Sequence, residues 1–371
     1  QGIIVPWENS KEAAVVDDLE VIAVKSLVDV IDFFNQPERK NEVITESYQL
    51  TPEYKIDYQD VKGQEHAKRA LEVAAAGHHN LVMIGPPGTG KTMLAKRLPT
   101  ILPPLAKKEA IEVTKIFSII DKLPSNQSLI KIRPFRNPHH TISRAGLVGG
   151  GRVPQPGEIS LAHRGVLFLD ELTEFNRQVL EILRQPLEEQ KITLNRSAVT
   201  LTYPCEFLLV AALNPCPCGY YGSSNRQCTC TPYQRQKYLS KISGPILDRI
   251  DIHLEVPQLN ASELTDYQPG ETSAQIKKRI IAARQIQIQR FSDTDIYYNA
   301  DMDSQAVEKY CLLDSGAQKM IKNAISRLNL SARAYDRILK LSRTIADLAA
   351  SEIITIDHIG EAIQYRSLDR R

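Results

Sequence analysis

Apolar residues along this chain follow distinct rhythms. Three short unbroken runs, Leu81-Val82-Met83-Ile84, Val166-Leu167-Phe168-Leu169 and Phe207-Leu208-Leu209-Val210-Ala211-Ala212-Leu213, predict buried strands. A second rhythm appears from Ser273 onward, where the pattern turns wholly helical; Ile338, Leu341, Ile345 and Leu348 fall at helical spacing. Period-two alternation in Lys191-Ile192-Thr193-Leu194, a polar turn Asn195-Arg196-Ser197, and Ala198-Val199-Thr200-Leu201-Thr202 predict a hairpin ahead of the third run. Near the start, Ile3-Ile4-Val5 and Val21-Ile22-Ala23-Val24 read as strands, and Leu27 to Phe34 as a short helical pattern. The polar stretch from Asn35 to Asp57 carries Pro37 and Pro52 and no sustained period. The expected order is the end of an α/β domain over 1–35, a linker over 36–57, an α/β core over 58–257 and a helical lid over 258–371.

The 371 residues allow two or three domains with real cores, and 42% hydrophobic with 24% charged residues is an ordinary soluble balance. No run approaches the roughly 18 apolar residues of a membrane span, and no basic-then-apolar leader opens the chain, so a cytoplasmic protein without a membrane partner is expected. Gln1 rather than Met begins the sequence, which reads as a fragment of something longer. A net charge of +2 provides no global positive field, so any nucleic-acid site must be local.

Candidate chemistry begins where the first run ends. Gly85-Pro86-Pro87-Gly88-Thr89-Gly90-Lys91-Thr92, followed by helix-like Met93-Leu94-Ala95-Lys96-Arg97-Leu98, fits the phosphate-binding loop G-x-x-x-x-G-K-[ST]. Its glycines let successive backbone N–H groups face phosphate oxygens at a helix N-terminus, Lys91 reaches the β- and γ-phosphates of ATP, and Thr92 puts its hydroxyl on Mg²⁺. The second run ends in Asp170-Glu171, a Walker B pattern in which Asp170 holds the Mg²⁺ shell and Glu171 polarises the attacking water. Asn214 ends the third run, where a polar amide suits positioning of that water.

These elements together resemble the AAA+ ATPases: a P-loop core, a parallel sheet sandwiched by helices, and a C-terminal helical lid. In that resemblance Asn214 matches sensor 1. Arg249, in Gly244-Pro245-Ile246-Leu247-Asp248-Arg249-Ile250-Asp251, matches the arginine finger that serves a neighbouring subunit, and Arg333 matches sensor 2, in cis or in trans. Asp60-Val61-Lys62-Gly63-Gln64-Glu65 resembles the element that packs on adenine, with Val61 and Gly63 as contacts; Met93 completes the expected nucleotide site. Arg136-Asn137-Pro138-His139-His140-Thr141-Ile142-Ser143, Gly146-Leu147-Val148-Gly149-Gly150-Gly151 and Pro156-Gly157-Glu158-Ile159-Ser160-Leu161-Ala162-His163 look like the helix-2 insert of magnesium chelatase ATPase subunits and the YifB/ComM family. Asn214-Pro215-Cys216-Pro217-Cys218-Gly219 and Leu330-Ser331-Ala332-Arg333 are similar to the YifB/ComM family in particular. The resemblance covers essentially the whole chain, with residues 1–35 as the tail of a Lon-protease-like domain. It implies a hexameric helicase driving DNA branch migration during natural transformation. A protein-remodelling ATPase like the magnesium chelatase subunit is the alternative. A Lon-type protease is a third reading, but nothing marks Ser10, Ser26, Lys11 or Lys25 as a dyad.

Support for sequence-independent binding of single-stranded or branched DNA is local. Arg196 falls at the expected hairpin tip, and Arg136, His139, His140, Arg144 and Arg152, together with Arg133, precede the first acid of the insert, Glu158. Such a stretch can track phosphates, or be a solvated charged loop. Of six cysteines, four form two C-x-C pairs, Cys216 with Cys218 and Cys228 with Cys230. Four thiolates can enclose a structural Zn²⁺, although zinc sites more often use C-x₂-C; reduced thiols and redox disulfides are the alternatives.

Overall fold

The computed structural model describes residues 2–15, 19–36, 54–123, 128–151, 154–196, 199–223, 226–259, 270–328 and 330–366. Arg152 and the side chain of Arg196 lie outside the described residues. The chain divides into two compact units, Gln1–Glu53 with Pro104–Arg133, and Tyr54–Pro103 with Pro134–Arg371.

In the first unit, strands β1 (Gly2–Pro6) and β2 (Glu20–Val24) pair in parallel. The helix Leu27–Asn35 follows, started by a capping box in which the Ser26 hydroxyl accepts from the Asp29 N–H and the Asp29 carboxylate accepts from the Ser26 N–H. The helix Lys107–Ser118 belongs to the same unit, where Leu105, Ala110 and Leu129 form a small core.

The second unit is built on a parallel sheet. Its strands are β3 (Leu81–Ile84), β4 (Phe135–Arg136), β7 (Val166–Leu169), β10 (Leu208–Leu213) and β11 (Ile252–Glu255), in spatial order β11-β3-β10-β7-β4. The short antiparallel pairs β5 (Gly149–Gly150) with β6 (Gln155–Pro156), and β8 (Lys191–Arg196) with β9 (Val199–Pro204), lie outside that sheet. Alternation along each sheet strand feeds two cores. Leu81, Met83, Phe168, Val210, Ala212 and Leu254 pack on one face with Leu71, Leu94, Leu98 and the lid residues Ile280 and Leu341. Val82, Ile84, Leu167, Leu169, Leu209 and Leu213 pack on the other with Leu147, Ile159, Leu180 and Ile192. Burial on both faces is why β3, β7 and β10 read as unbroken apolar runs.

The lid contains helices Ser273–Arg290, Ser304–Tyr310, Ser315–Leu328, Ala332–Leu348 and Ile356–Gln364. In Ala332–Leu348 the spaced Ile338, Leu341 and Ile345 are buried, and the Ser331 hydroxyl accepts from the Ala334 N–H at its start. Arg343, on the same helix, is fully buried although charged. Its guanidinium donates to Asp347 at 3.1 Å and to the Glu352 carbonyl at 2.6 Å, and Arg290 adds a second cation on Asp347 at 2.8 Å. No helix among the described residues is long and apolar enough to cross a membrane.

Candidate nucleotide site and its surroundings

Strands β3, β10 and β7 are neighbours, so Gly85, Asn214 and Asp170 leave the sheet side by side at its C-terminal edge. The loop after β3 turns through left-handed glycines, Gly88 at φ 79° and Gly90 at φ 85°, and delivers Lys91 to the first turn of the helix Lys91–Ile101. Gly85 is fixed by lack of space: a Cβ there would stand 2.2 Å from the Val256 carbonyl oxygen. Lys91 Nζ donates to the Gly85 and Pro86 carbonyls at 2.6 and 2.9 Å, and burial pushes its ammonium down to about 8, with the Asp170 charge pulling it back. Thr92 Oγ1 donates to Asp170 Oδ2 at 2.7 Å. Adjacent ligands of an octahedral Mg²⁺ stand about 2.9 Å apart, so this oxygen pair fits the metal of a nucleotide complex.

Glu171 takes a left-handed backbone, φ 53°, and its N–H donates to Asp170 Oδ1 at 3.0 Å. Its carboxylate lies 3.3 Å from Nδ1 of His140, and the His139 ring lies tilted with its centroid 4.1 Å from that of His140. On the other side of the loop, Val61 is buried and Gly63 turns at φ 55°; a Cβ on Gly63 would touch Leu259 at 3.0 Å. Gln64 Nε2 donates to the Pro257 carbonyl at 2.8 Å, which ties this turn to the segment after β11. Met93 is partly exposed beside Gly90.

Arg249 and Arg333 lie elsewhere. Asn80, at the start of β3, donates from Nδ2 to the Arg249 carbonyl at 3.0 Å, which places Arg249 at the N-terminal edge of the sheet. Strand β3 has four residues, so that edge is roughly 13 Å from the phosphate-binding loop. Arg333 Nη1 meets Asp248 at 3.3 Å, and Arg337 meets Asp251 at 3.6 Å. Arg249 itself pairs with Glu188. Burial, and then the charges of Arg184, Arg333 and Arg337, hold the Arg249 guanidinium below its ordinary range. The structure thus brings Arg249 and Arg333 together on one cationic patch and separates both from Lys91, Asp170 and Asn214. Sequence spacing gives no hint of Arg184 or Arg337 in this patch; the one available signal is that Arg337 stands one helical turn after Arg333.

Among the residues expected at DNA, Arg136 makes a bidentate pair with Glu158 at 2.6 and 2.7 Å. Its fork is closed on that carboxylate rather than turned outward. Arg144 and His140 line an open cavity of about 960 Å³ with Thr141, Glu174 and Asn176. The hairpin forms as β8 and β9, with Arg196 still in strand opposite Val199, so the turn is shorter than the alternation implies. Insert and hairpin touch: Tyr203 Oη donates to the Pro154 carbonyl at 3.0 Å, and Gly149 lies against Leu194.

The four clustered cysteines converge. Their sulfurs lie within 4.8 Å of one another, with Cys216 to Cys218 at 3.4 Å, Cys218 to Cys228 at 3.6 Å and Cys216 to Cys228 at 3.7 Å. Tetrahedral thiolates around Zn²⁺ stand about 3.8 Å apart, so the donor set and its size fit that ion. The Tyr221 N–H points at Cys216 Sγ and the Cys230 N–H at Cys228 Sγ, both at 3.4 Å, as surrounding donors do at thiolate centres. Cys205 and Cys311 are buried away from the cluster, and burial pushes each thiol up to about 12.

Comparison with known proteins covers most of the chain. Residues 57–264 match the model of the magnesium chelatase subunit ChlI, and residues 270–366 match that of its C-terminal region. Competence protein ComM of Haemophilus influenzae is 45% identical over 374 residues, covering 99% of this chain and 72% of the relative. YifB of Salmonella typhimurium is 43% identical over 372 residues, covering 100% and 72%. The magnesium-chelatase 38 kDa subunit of Rhodobacter capsulatus is more distant, 25% identical over 174 residues that cover 42% of this chain and 49% of the relative.

Proposed function

Because the chain belongs to the magnesium chelatase subunit ChlI family, and within it to the YifB/ComM group, we propose that it is an ATP-driven ring motor acting on DNA. The family supplies the AAA+ ATPase architecture, with ATP and Mg²⁺. Lys91 binds the phosphates, Thr92 and Asp170 hold Mg²⁺, Glu171 orients the attacking water and Asn214 assists it. Val61, Gly63 and Met93 flank the base and sugar.

The observation that carries the ring is the separation of the two halves of the chemistry. Arg249 and Arg333, linked through Asp248, sit at the sheet edge opposite the phosphate-binding loop. A cation there serves the γ-phosphate of another copy, so both arginines act in trans and each ATP site is completed by a neighbour, in a hexamer. DNA as the substrate is supported by the joined insert and hairpin, which carry His139, His140, Arg144 and Arg196, and by a relative named for competence. The motor reading is branch migration of single-stranded or branched DNA during uptake and recombination, without sequence preference, with Zn²⁺ as a structural ion in the cysteine cluster.

Steady-state ATP hydrolysis with and without single-stranded and branched DNA, at two salt concentrations, tests this. The expected result is strong, salt-sensitive stimulation that Arg196→Ala removes, with Glu171→Gln inactive yet still binding DNA. Turnover indifferent to every DNA in an assembled preparation would instead favour remodelling of a partner protein.

A further inference from the structure

The cysteine loop is built into the wall of the nucleotide site, and we propose that its metal sets the affinity of that site for ATP: Zn²⁺ on Cys216, Cys218, Cys228 and Cys230 is a strut beneath the phosphate-binding loop. This rests on the zinc reading of the cluster and assigns the ion a role.

The loop leaves β10 directly after Asn214, so its first thiolate is two residues from a group facing the phosphates. It then crosses to the phosphate-binding loop itself. Gly219, at φ +84°, lies so close to Pro87 that a Cβ would stand 2.9 Å from Pro87 Cδ and 4.0 Å from Asn214 Cγ. The peptide that follows Cys218 therefore rests on the proline ring in the middle of the phosphate cradle. Further on, Ser223 Oγ donates to Gln258 Oε1 at 2.9 Å. Gln258 stands between Pro257, which accepts from Gln64, and Leu259, which packs on Gly63. One loop thus touches both the phosphate side and the base side of the pocket.

That loop has almost no core of its own. Among its described residues from 215 to 231, only Pro215, Cys216 and Gly219 are buried. A segment of this kind keeps one conformation through a cross-link, and binding a structural Zn²⁺ is then folding energy for the loop. Without the ion, Gly219 is no longer held against Pro87, and the cradle must be ordered at the moment ATP binds, which lowers apparent affinity. Coupling of this sort is reciprocal: nucleotide must hold the zinc by the same factor that zinc strengthens the nucleotide.

The test uses the full chain as purified, with metal analysis, a fluorescent ATP analogue and a chromophoric zinc-selective chelator, all in excess Mg²⁺. Zinc near one per chain is expected, with removal weakening the ATP analogue by about 5-fold or more, re-addition restoring it, and saturating ATP tightening zinc in its equilibrium with the chelator by a similar factor. Gly219→Ala is expected to keep its zinc yet lose nucleotide affinity, and Pro87→Ala in that background to recover part of the loss. A chain without zinc, its four thiols freely titratable, overturns the zinc reading. Zinc present but with an affinity indifferent to ATP, and Gly219→Ala binding nucleotide as the parent does, overturns the strut and leaves the zinc. Where the stripped chain unfolds, Gly219→Ala, which keeps all four cysteines, decides the matter by its nucleotide affinity.

Discussion

Lys91 and Glu171 carry opposite kinds of tension at the nucleotide site. Burial draws the Lys91 ammonium down to about 8 where two carbonyls hold it, so above that pH the ligand-free site increasingly holds a neutral amine. Its folded value lies below the unfolded one, near 10.4, so the unfolded chain binds more protons in between and the fold gains stability as pH rises through that window. Binding runs the other way, because polyphosphate needs the charge. Affinity for a fluorescent ATP analogue is expected to fall from pH 7 to pH 9.5, by at most about tenfold per unit above the titration point, with proton uptake visible in buffers of different ionisation enthalpy. Lys91→Arg, whose charge does not titrate there, should lose the slope; a flat profile in the parent chain would sink this account. The Glu171 carboxylate contacts His140 Nδ1 at 3.3 Å, and we propose that this contact restrains it from orienting the attacking water. His140→Ala should raise DNA-free hydrolysis severalfold and shrink the stimulation by DNA, whereas unchanged rates would mean that the contact is incidental.

At the scale of elements, the lid turns on one carboxylate. Asp347 is fully buried and accepts from Arg290, Arg343 and Asn299, which come from three separate parts of the lid. Removing it strands the buried Arg343 guanidinium and the part-buried one of Arg290, so Asp347→Ala is expected to cost about 3–5 kcal/mol by chemical denaturation. A loss below 1 kcal/mol would show that water reaches these cations. This network was only partly legible from spacing: Arg343 and Asp347 stand at i,i+4 on one helix. Apolar periodicity locates Ile338, Leu341 and Ile345 because burial of aliphatic groups repeats with the helix, but it is silent on Arg290 and Asn299 reaching Asp347 from elsewhere in the lid. The same limit explains Arg136, which looks available in a basic stretch until folding brings Glu158 onto it, 22 residues later. Strands β3, β7 and β10 were legible for the converse reason, since burial on both faces leaves no room for polar residues, whereas the two-residue β4, and β11 with its His253 and Glu255, were not; the phosphate loop is a local backbone shape written in glycines. The cysteine cluster was legible as a donor set, whereas the contact of Gly219 with Pro87 joins positions far apart in sequence and left no trace there.

For the whole molecule, the decisive geometry is that the phosphate loop and the Arg249–Arg333 patch occupy opposite edges of one sheet. On the proposed ring, no single copy brings its own Arg249 to its own ATP, and hydrolysis is a property of the junction between copies. Lys91→Ala and Arg249→Ala should each be nearly inactive alone, the first for want of bound phosphate and the second for want of charge opposite the developing transition state. Mixed and reassembled, they should recover activity, because a Lys91→Ala copy still offers an intact arginine to the intact ATP site of an Arg249→Ala neighbour. Random mixing in equal amounts makes about a quarter of junctions complete, which sets the scale of the expected recovery. The same cross with Arg333→Ala in place of Arg249→Ala distinguishes the two arginines: recovery means that Arg333 also acts across the junction, and none means that the lid swings it back onto its own nucleotide. If the Arg249→Ala mixture stays silent while size measurements show mixed assemblies, the finger role of Arg249 is lost, and the patch must be read as an ion-pair network that stabilises this edge of the sheet.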